Sequence, residues 1–248
     1  MLSKLPWKKI RSEFLFFACI LAVLLTFRTT AYGMYFIPSE SMLPTLAVGD
    51  RILVNKFAYG YSRHSVPFSI GPEIATPTGR LFGRLPAHGD LVVFKHPDSR
   101  ETLIKRVIGL PGDTIELREG RLFLNDAEAP RVLDDLFRYR EHHGGVASVA
   151  AFSETLPGGR EHEIYERGDN YRGDDFGPAV IPANHLFVMG DNRDNSIDSR
   201  FPYPGVGFLP VENLVGRADL LMFSLNRQRE EEDLKKLKRQ RSFMAPLQ

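Results

Sequence analysis

The 248-residue sequence contains a single cysteine, Cys19, and this scarcity excludes two kinds of structure. One cysteine cannot form an intramolecular disulfide, and Cys19 lies in an apolar N-terminal run where no cysteine-based zinc site can form. None of the seven histidines lies in an H-E-x-x-H motif. The acidic run that begins at Asp191 has Arg193 at its third position and Ser196, not glycine, at its sixth, unlike a calcium loop. The sequence therefore predicts no metal site.

An excess of charge of one sign is also lacking. The net charge is +1, which gives no case for a nucleic-acid partner, and no glycine-rich phosphate-binding loop follows a strand. Glycine and proline are plentiful, at 21 and 17 residues, and favour short strands and turns over a helix bundle. The length suits one sizeable domain, or one domain with an insertion.

The one long apolar run lies near the N-terminus, at residues 14–27. At ~1.5 Å per residue it reaches only about 21 Å, so residues 28–36 would be needed to approach a ~30 Å hydrocarbon core. The basic residues that precede it place the N-terminus in the cytoplasm: Lys4, Lys8, Lys9 and Arg11. We interpret 1–12 as a cytoplasmic tail and 13–34 as a single, uncleaved transmembrane helix. A cleavable secretory signal is the alternative.

Soon after this run, two serines lie two residues apart between two prolines. Ser39 and Ser41 follow Pro38 and precede Pro44. In an extended backbone, residues two apart point the same way, so the two hydroxyls can address one spot. This suits a nucleophile with a helper beside it, although a polar turn leaving the membrane would have the same composition.

A lysine within an apolar strand is a candidate base. Residues 102–109 predict a strand on which Leu103 and Val107 flank Lys105 on its own face. Burial lowers the pKa of a lysine from about 10.4, and a pKa of ~8 would leave on the order of a tenth of the amine neutral at pH 7. A neutral amine can take the proton of Ser41, whose backbone N–H, with the Ser39 hydroxyl, could stabilise an oxyanion. The alternative is a lysine that simply reaches water.

Short apolar runs elsewhere predict strands. They lie at 51–57, 90–96, 102–109, 185–189 and 220–225, with a hairpin at 114–125. Residues 130–183 are dominated by charges, glycine pairs and Asp/Asn clusters, which indicates an inserted subdomain. Residues 35–129 and 184–225 would then form one β domain, and 226–248 a charged, solvated tail.

Four segments resemble, in order, the sequence boxes of bacterial type I signal peptidases. They are 38–46 (PSESMLPTL), 89–94 (GDLVVF), 105–113 (KRVIGLPGD) and 190–200 (GDNRDNSIDSR). The resemblance implies a mainly β fold, with an antiparallel catalytic core that carries an inserted subdomain and follows a single transmembrane helix. It also implies a Ser/Lys endopeptidase without metal or cofactor, which removes signal peptides from exported preproteins after a small-x-small motif. The enzyme would sit in the bacterial inner membrane, in contact with the lipid bilayer, with its catalytic domain on the periplasmic face.

The resemblance also implies roles for individual residues. Ser41 would be the nucleophile, Lys105 the general base and Ser39 an oxyanion donor, and Ser196 would hydrogen-bond to the lysine amine and orient it. Two ion pairs would hold the last loop against the site: Asp191 with Arg106, and Asp198 with Arg200. Shallow pockets for small side chains would be lined by Ile37, Pro38, Met42, Leu46 and Ile104.

One departure and three rival functions accompany this interpretation. Glu40 places a carboxylate beside the nucleophile, where many relatives have a smaller residue. In an extended backbone it would point away from both serines, whereas an inward rotamer would keep Lys105 charged. A relative dedicated to one substrate, such as a pilin or conjugation-type processing peptidase, is the first rival. A self-cleaving repressor-type Ser/Lys protease and an inactive membrane-tethered binding domain are the others.

Overall fold

The computed structural model describes residues 7–65, 71–141, 143–224 and 244–247. Within these ranges one long helix precedes a series of short strands. The helix is α1 (Trp7–Thr30), and the strands are β1 (Tyr32–Phe36), β2 (Asp50–Asn55), β3 (Leu91–Lys95), β4 (Thr102–Gly109), β5 (Thr114–Arg118), β6 (Arg121–Leu124), β7 (Ala127–Glu128), β8 (Arg131–Arg140), β9 (Val146–Thr155), β10 (Glu161–Glu166), β11 (Phe176–Val180), β12 (His185–Met189), β13 (Leu209–Pro210), β14 (Leu214–Ser224) and β15 (Ala245–Pro246).

The largest sheet has the order β1-β2-β14-β3-β4-β12-β13, and β15 pairs with β14. Its strands pair antiparallel, which confirms the predicted mainly β, antiparallel fold with one N-terminal helix. The central strand β3 is a continuous apolar run because both of its faces are covered. Leu91 and Val93 enter one hydrophobic cluster and Val92 and Phe94 the other. This doubly covered sheet supplies the rigid support on which β4 carries Lys105 opposite Val92.

Two smaller sheets complete the described structure. The predicted hairpin forms as β5 and β6, within a sheet of order β11-β5-β6-β7. Strands β8 to β10 form a three-stranded sheet whose buried face packs against Leu43 and Ala47. Residues 130–183 therefore reach the segment that carries Ser41. Their origin as an insertion stays a prediction.

The helix ends earlier than the predicted anchor. α1 stops at Thr30, and residues 32–36 form a strand because they pair with 51–55 of β2. The expected extension of the helix through residue 34 is therefore wrong. No helix in the described ranges is both long enough and apolar enough to cross a bilayer. The predicted transmembrane span stays a prediction.

The C-terminal segment is seen only in part. Most of the predicted solvated tail, residues 226–243 and 248, lies outside the described residues. Residues 244–247 return to the large sheet, where Ala245 pairs with Leu221, and Ala245 and Leu247 pack on the hydrophobic cluster that includes Met42.

Candidate active site

Ser41 lies in a tight turn, not in the extended segment expected from the sequence. The Leu43 N–H donates to the Glu40 carbonyl at 3.0 Å, and the Leu46 N–H donates to the Met42 carbonyl at 2.8 Å. The turn forms because Met42, Leu43 and Leu46 are buried on the core side, which leaves the serines at its outer edge. The two hydroxyls still meet, with 3.4 Å between Ser39 Oγ and Ser41 Oγ. The proximity of the two hydroxyls was predicted correctly, but it results from a turn and not from the expected extended backbone.

The Lys105 amine lies beside the Ser41 hydroxyl. Lys105 Nζ is 2.5 Å from Ser41 Oγ, and the lysine is 4% exposed. Burial lowers the pKa of Lys105 from 10.5 to about 8, even though Asp198 and Asp191 attract the charged form; Arg200 lowers it further. A large fraction of the amine is therefore neutral near pH 8. The amine is also close enough to the Ser41 hydroxyl to accept its proton.

The first predicted ion pair fixes the start of the 190–200 loop. Arg106 Nε and Nη2 donate to the two carboxylate oxygens of Asp191, both at 2.8 Å, and both side chains are buried. Burial on its own raises the pKa of Asp191, but the Arg106 guanidinium outweighs it and holds that pKa below its ordinary value. Thr45, which the sequence analysis did not single out, donates to Asp191 at 2.5 Å and so ties the Ser41 turn to the same pair.

The second predicted ion pair closes the other end of this loop. Arg200 Nε and Nη2 donate to Asp198 at 2.9 and 3.0 Å, and Asp198 accepts the Gly190 N–H at 3.0 Å. Arg200 also donates to the Arg193 carbonyl at 2.5 Å. Removal of one partner from a buried, bidentate ion pair strongly destabilises the folded protein, because it leaves the other charge buried and unpaired. The pair therefore fixes the end of the loop close to Lys105, on whose charge both of its members act.

Ser196 is near the site but does not make the predicted contact. Its hydroxyl is buried and has no hydrogen-bond partner among the described residues, so the expected bond to the Lys105 amine is not formed. Gly190 explains how close the loop comes. A Cβ at that position would collide with the Ser196 side chain and, at 2.5 Å, with the Ser41 carbonyl oxygen. Glycine at this position therefore lets both the Ser196 side chain and the Ser41 carbonyl approach the backbone of the 190–200 loop.

A shallow pocket of about 70 Å³ opens beside Ser41. Of the residues predicted to line it, Ile37, Pro38 and Ile104 do so. Met42 and Leu46 do not line it, although they belong to the same hydrophobic cluster as Ile37, and this corrects the predicted pocket. The wall also contains residues that the sequence analysis missed: Tyr35, Phe36, Ile52, Val93, Thr102 and Leu103.

Glu40 is buried beside the nucleophile and faces the 190–200 loop. It is 7% exposed, and Asn195 Nδ2 lies 3.4 Å from its carboxylate. The charged groups that shift the pKa of Lys105 are Asp198, Asp191 and Arg200. The inward rotamer that would hold the amine charged is therefore not the one adopted.

The three-stranded sheet is joined to the 190–200 loop by a buried ion pair that was not predicted from the sequence. Arg193 forms a bidentate pair with Glu154 of β9, and both side chains are almost fully buried. The Tyr165 N–H of β10 donates to the Asp191 carbonyl at 2.9 Å.

Among the described residues, no group of three or more His, Cys, Asp or Glu side chains is placed to hold a metal ion.

Comparison with known proteins identifies similar sequences over most of the chain. Residues 10–223 match the family model described as signal peptidase, peptidase S26. A signal peptidase I from Rickettsia typhi is 35% identical over 224 residues, which cover 88% of this chain and 81% of that protein. One from Pseudomonas aeruginosa is 39% identical over 207 residues, which cover 80% and 67%. A crystal structure of a signal peptidase I from Enterococcus faecalis is 22% identical, with a TM-score of 0.32, over 54% of this chain and 97% of that one, a likeness too low to carry a structural conclusion.

Proposed function

The chain belongs to the signal peptidase I enzymes of the peptidase S26 family, which cleave signal peptides from exported proteins, and we propose that it does so with Ser41 as nucleophile and Lys105 as general base. The observation that carries the proposal is the 2.5 Å separation of Lys105 Nζ and Ser41 Oγ, combined with the burial of the amine. An amine that is both desolvated and in contact with an alcohol meets the two requirements of a general base, geometry and pKa.

The proposed reaction has two halves. In the first, Ser41 Oγ attacks the scissile carbonyl carbon as its proton passes to Lys105 Nζ. The amine then returns this proton to the departing nitrogen, which leaves an acyl-enzyme. In the second half, Lys105 takes a proton from water, the hydroxide oxygen bonds to the acyl carbon, and Ser41 Oγ leaves and regains a proton. The Ser41 N–H and the Ser39 hydroxyl would bind the oxyanion in both halves. In the described part of the chain, the Ser41 N–H is not donated to any other group, which supports this assignment.

Cleavage after a small-x-small motif is the finer specificity that we propose. The pocket beside Ser41 is shallow, about 70 Å³, and its walls are mainly aliphatic and aromatic. Its walls leave room for an alanine side chain, and we expect them to exclude a bulky one by steric overlap.

Cleavage of a preprotein panel tests this specificity. With purified protein, we expect kcat/KM to fall about 10- to 200-fold when the alanine before the cleavage site is replaced by valine, the range for modest steric misfit. Phenylalanine at that position should prevent cleavage. Equal cleavage rates for substrates with alanine and with phenylalanine would show that the pocket does not bind this side chain. Cleavage of two unrelated preproteins would exclude the dedicated processing peptidase, and cleavage of only one would favour it.

We also propose that α1 holds the enzyme at the inner membrane, with residues 1–12 in the cytoplasm and the catalytic domain on the periplasmic face. The support is a run of phenylalanine and leucine side chains, each more than half exposed: Phe14, Leu15, Phe16 and Phe17. Such a surface is costly in water and is stabilised by lipid.

Alkaline extraction of membranes tests the anchor. We expect the full-length protein to stay in the membrane pellet and a variant lacking residues 1–30 to be released. Protease added outside spheroplasts should digest residues 130–183 and spare residues 1–12. Release of the full-length protein by alkali, or digestion of residues 1–12 from outside, would contradict the proposed topology.

A further inference from the structure

Asn192 makes hydrogen bonds to both sides of the nucleophile. It is fully buried, and its backbone N–H donates to the Ser41 carbonyl at 3.1 Å. Its side-chain Nδ2 donates to the Glu40 carbonyl at 3.1 Å and to the Tyr139 hydroxyl at 3.0 Å. A carbonyl oxygen only accepts, so the amide must present its NH₂ group to Glu40, and the two N–H bonds of that group account for both contacts.

These contacts fix the backbone of Ser41. A peptide group is planar, so the backbone at one residue can change only by rotation of the two peptide groups that flank it. Asn192 holds one of these groups through the Glu40 carbonyl and the other through the Ser41 carbonyl. Asn192 therefore restrains both soft rotations at Ser41, and the Leu43 N–H, which also donates to the Glu40 carbonyl at 3.0 Å, adds to the restraint on the first.

The first of these peptide groups contains the Ser41 N–H. In a trans peptide the N–H and the C=O point in opposite directions, so the bond to the Glu40 carbonyl sets the direction of the Ser41 N–H. A hydrogen bond at the carbonyl also polarises the peptide group and strengthens its N–H as a donor. An oxyanion donor has to be fixed in advance, because its effect depends on not reorganising during the reaction.

Tyr139 connects this arrangement to the three-stranded sheet. It is fully buried on β8, and its ring packs beside that of Tyr165, with 6.3 Å between ring centroids. The same cluster includes Leu43 and Ala47 of the Ser41 turn. The hydroxyl of Tyr139 thus holds the Asn192 amide from a surface that also supports the nucleophile.

We propose that Asn192 is a positioning residue that aims the Ser41 N–H at the oxyanion, and that Tyr139 keeps the Asn192 amide in place. This assigns the three-stranded sheet a part in turnover, through Tyr139, although none of its described residues lines the pocket beside Ser41. The inference rests on the proposed function, because it requires the Ser41 N–H to be an oxyanion donor.

Turnover and the affinity of a peptide aldehyde test the inference in the full-length protein. Ser41 Oγ adds to the aldehyde carbon and its proton goes to the aldehyde oxygen, which gives a tetrahedral adduct in the oxyanion site. For Asn192→Ala we expect kcat to fall about 10- to 100-fold, less than or equal to the loss of a whole donor, with KM within about twofold. Aldehyde affinity should fall by the same factor as kcat. The pKa seen in the pH profile should not move, because Lys105 is untouched.

Tyr139→Phe is the second variant, since it keeps the buried ring and removes only the hydroxyl. We expect a smaller loss of kcat, about 3- to 10-fold, with the same parallel loss of aldehyde affinity. Tyr165→Phe is the matched control, because it removes a hydroxyl from the neighbouring ring and none of the hydrogen bonds of Asn192. It should turn over like the wild type. If Asn192→Ala does not fold, Tyr139→Phe carries the test.

The outcomes separate this inference from the proposed function. Wild-type kcat and aldehyde affinity in Tyr139→Phe, or a loss of kcat without a loss of aldehyde affinity, would overturn the inference. If Ser39→Ala loses turnover while the Asn192 variant does not, the oxyanion site stands and Asn192 has no part in it. Cleavage by Ser41→Ala would instead overturn the proposed function.

Discussion

Lys105→Met is expected to abolish cleavage of a preprotein while the protein keeps its fold, and Ser41→Ala is expected to do the same. Lys105→Met lacks the proton acceptor, and Ser41→Ala lacks the nucleophile that donates the proton. Loss of one member of a nucleophile–base pair lowers kcat by at least ~10⁴-fold. Lys105 Nζ lies 2.5 Å from Ser41 Oγ, which is within the range for direct transfer of the proton. Cleavage is measured by single turnover with excess enzyme.

The stability of Lys105→Met gives an independent check. The pKa of Lys105 falls from 10.5 to about 8 on folding, so the unfolded chain binds the proton more tightly. At about 1.4 kcal/mol per pKa unit, the buried amine costs the folded state roughly 3 kcal/mol below pH 8. This cost disappears as the pH rises towards 10.5. Methionine carries no such cost, so the inactive variant should melt at a higher temperature than the wild type at pH 7.

Lys56→Met is the matched control for the lysine. Lys56 is also buried, at 6% exposure, and desolvation also lowers its pKa, but its amine donates to the Ser65 carbonyl at 3.2 Å. It should retain cleavage. Residual cleavage by Lys105→Met would show that the amine of Lys105 is not the base, and equal loss of cleavage in Lys56→Met would show that the effect is not specific to Lys105.

The pH dependence of kcat/KM should show one limb with a pKa of about 8. Only the neutral amine accepts a proton, so kcat/KM should rise about tenfold per pH unit up to pH 8 and then level off. At pH 6 it should therefore be about 100-fold below its plateau. The carboxylates of Asp191 and Asp198 contribute no second limb there, because their arginine partners outweigh burial and hold their pKa values below the ordinary range.

Glu166 provides the control for this profile. Burial raises its pKa to about 7, and it lies on β10, where Arg131 donates to it at 2.6 Å. Glu166→Gln removes that titration without touching Lys105, so the limb near pH 8 should persist. A limb that disappears in Glu166→Gln would assign the pH dependence to the three-stranded sheet.

The sequence was sufficient to predict the pairing of Ser41 with Lys105 and both ion pairs. Lys105 lies in a short apolar strand whose burial is evident from its neighbours, and Arg106 with Asp191 follows from the matched sequence boxes. The conformation of the Ser41 turn was not within reach. Alternation of side chains in an extended segment and the burial of Met42 and Leu46 in a turn both bring the serines together, and the residue pattern does not distinguish them.

The contribution of the three-stranded sheet was also beyond the sequence. Asn192 and Tyr139 lie 53 positions apart, and Arg193 and Glu154 lie 39 apart, so only tertiary packing reveals that they meet. Charged residues within 131–140 obscured the alternation that forms β8. Similarly, β14 starts at Leu214, earlier than the predicted strand at 220–225, because Gly216 and Arg217 interrupt its apolar run.

A direct titration of the Lys105 amine tests whether an uncharged lysine drives the reaction. In protein labelled at its lysine side chains, the signal absent from Lys105→Met identifies Lys105, and its chemical shift is followed by NMR from pH 6 to 11. We expect a midpoint at about 8, matching the limb of kcat/KM. A midpoint near 10.4, the value of a solvated lysine, would contradict a neutral Lys105 as the base that activates Ser41.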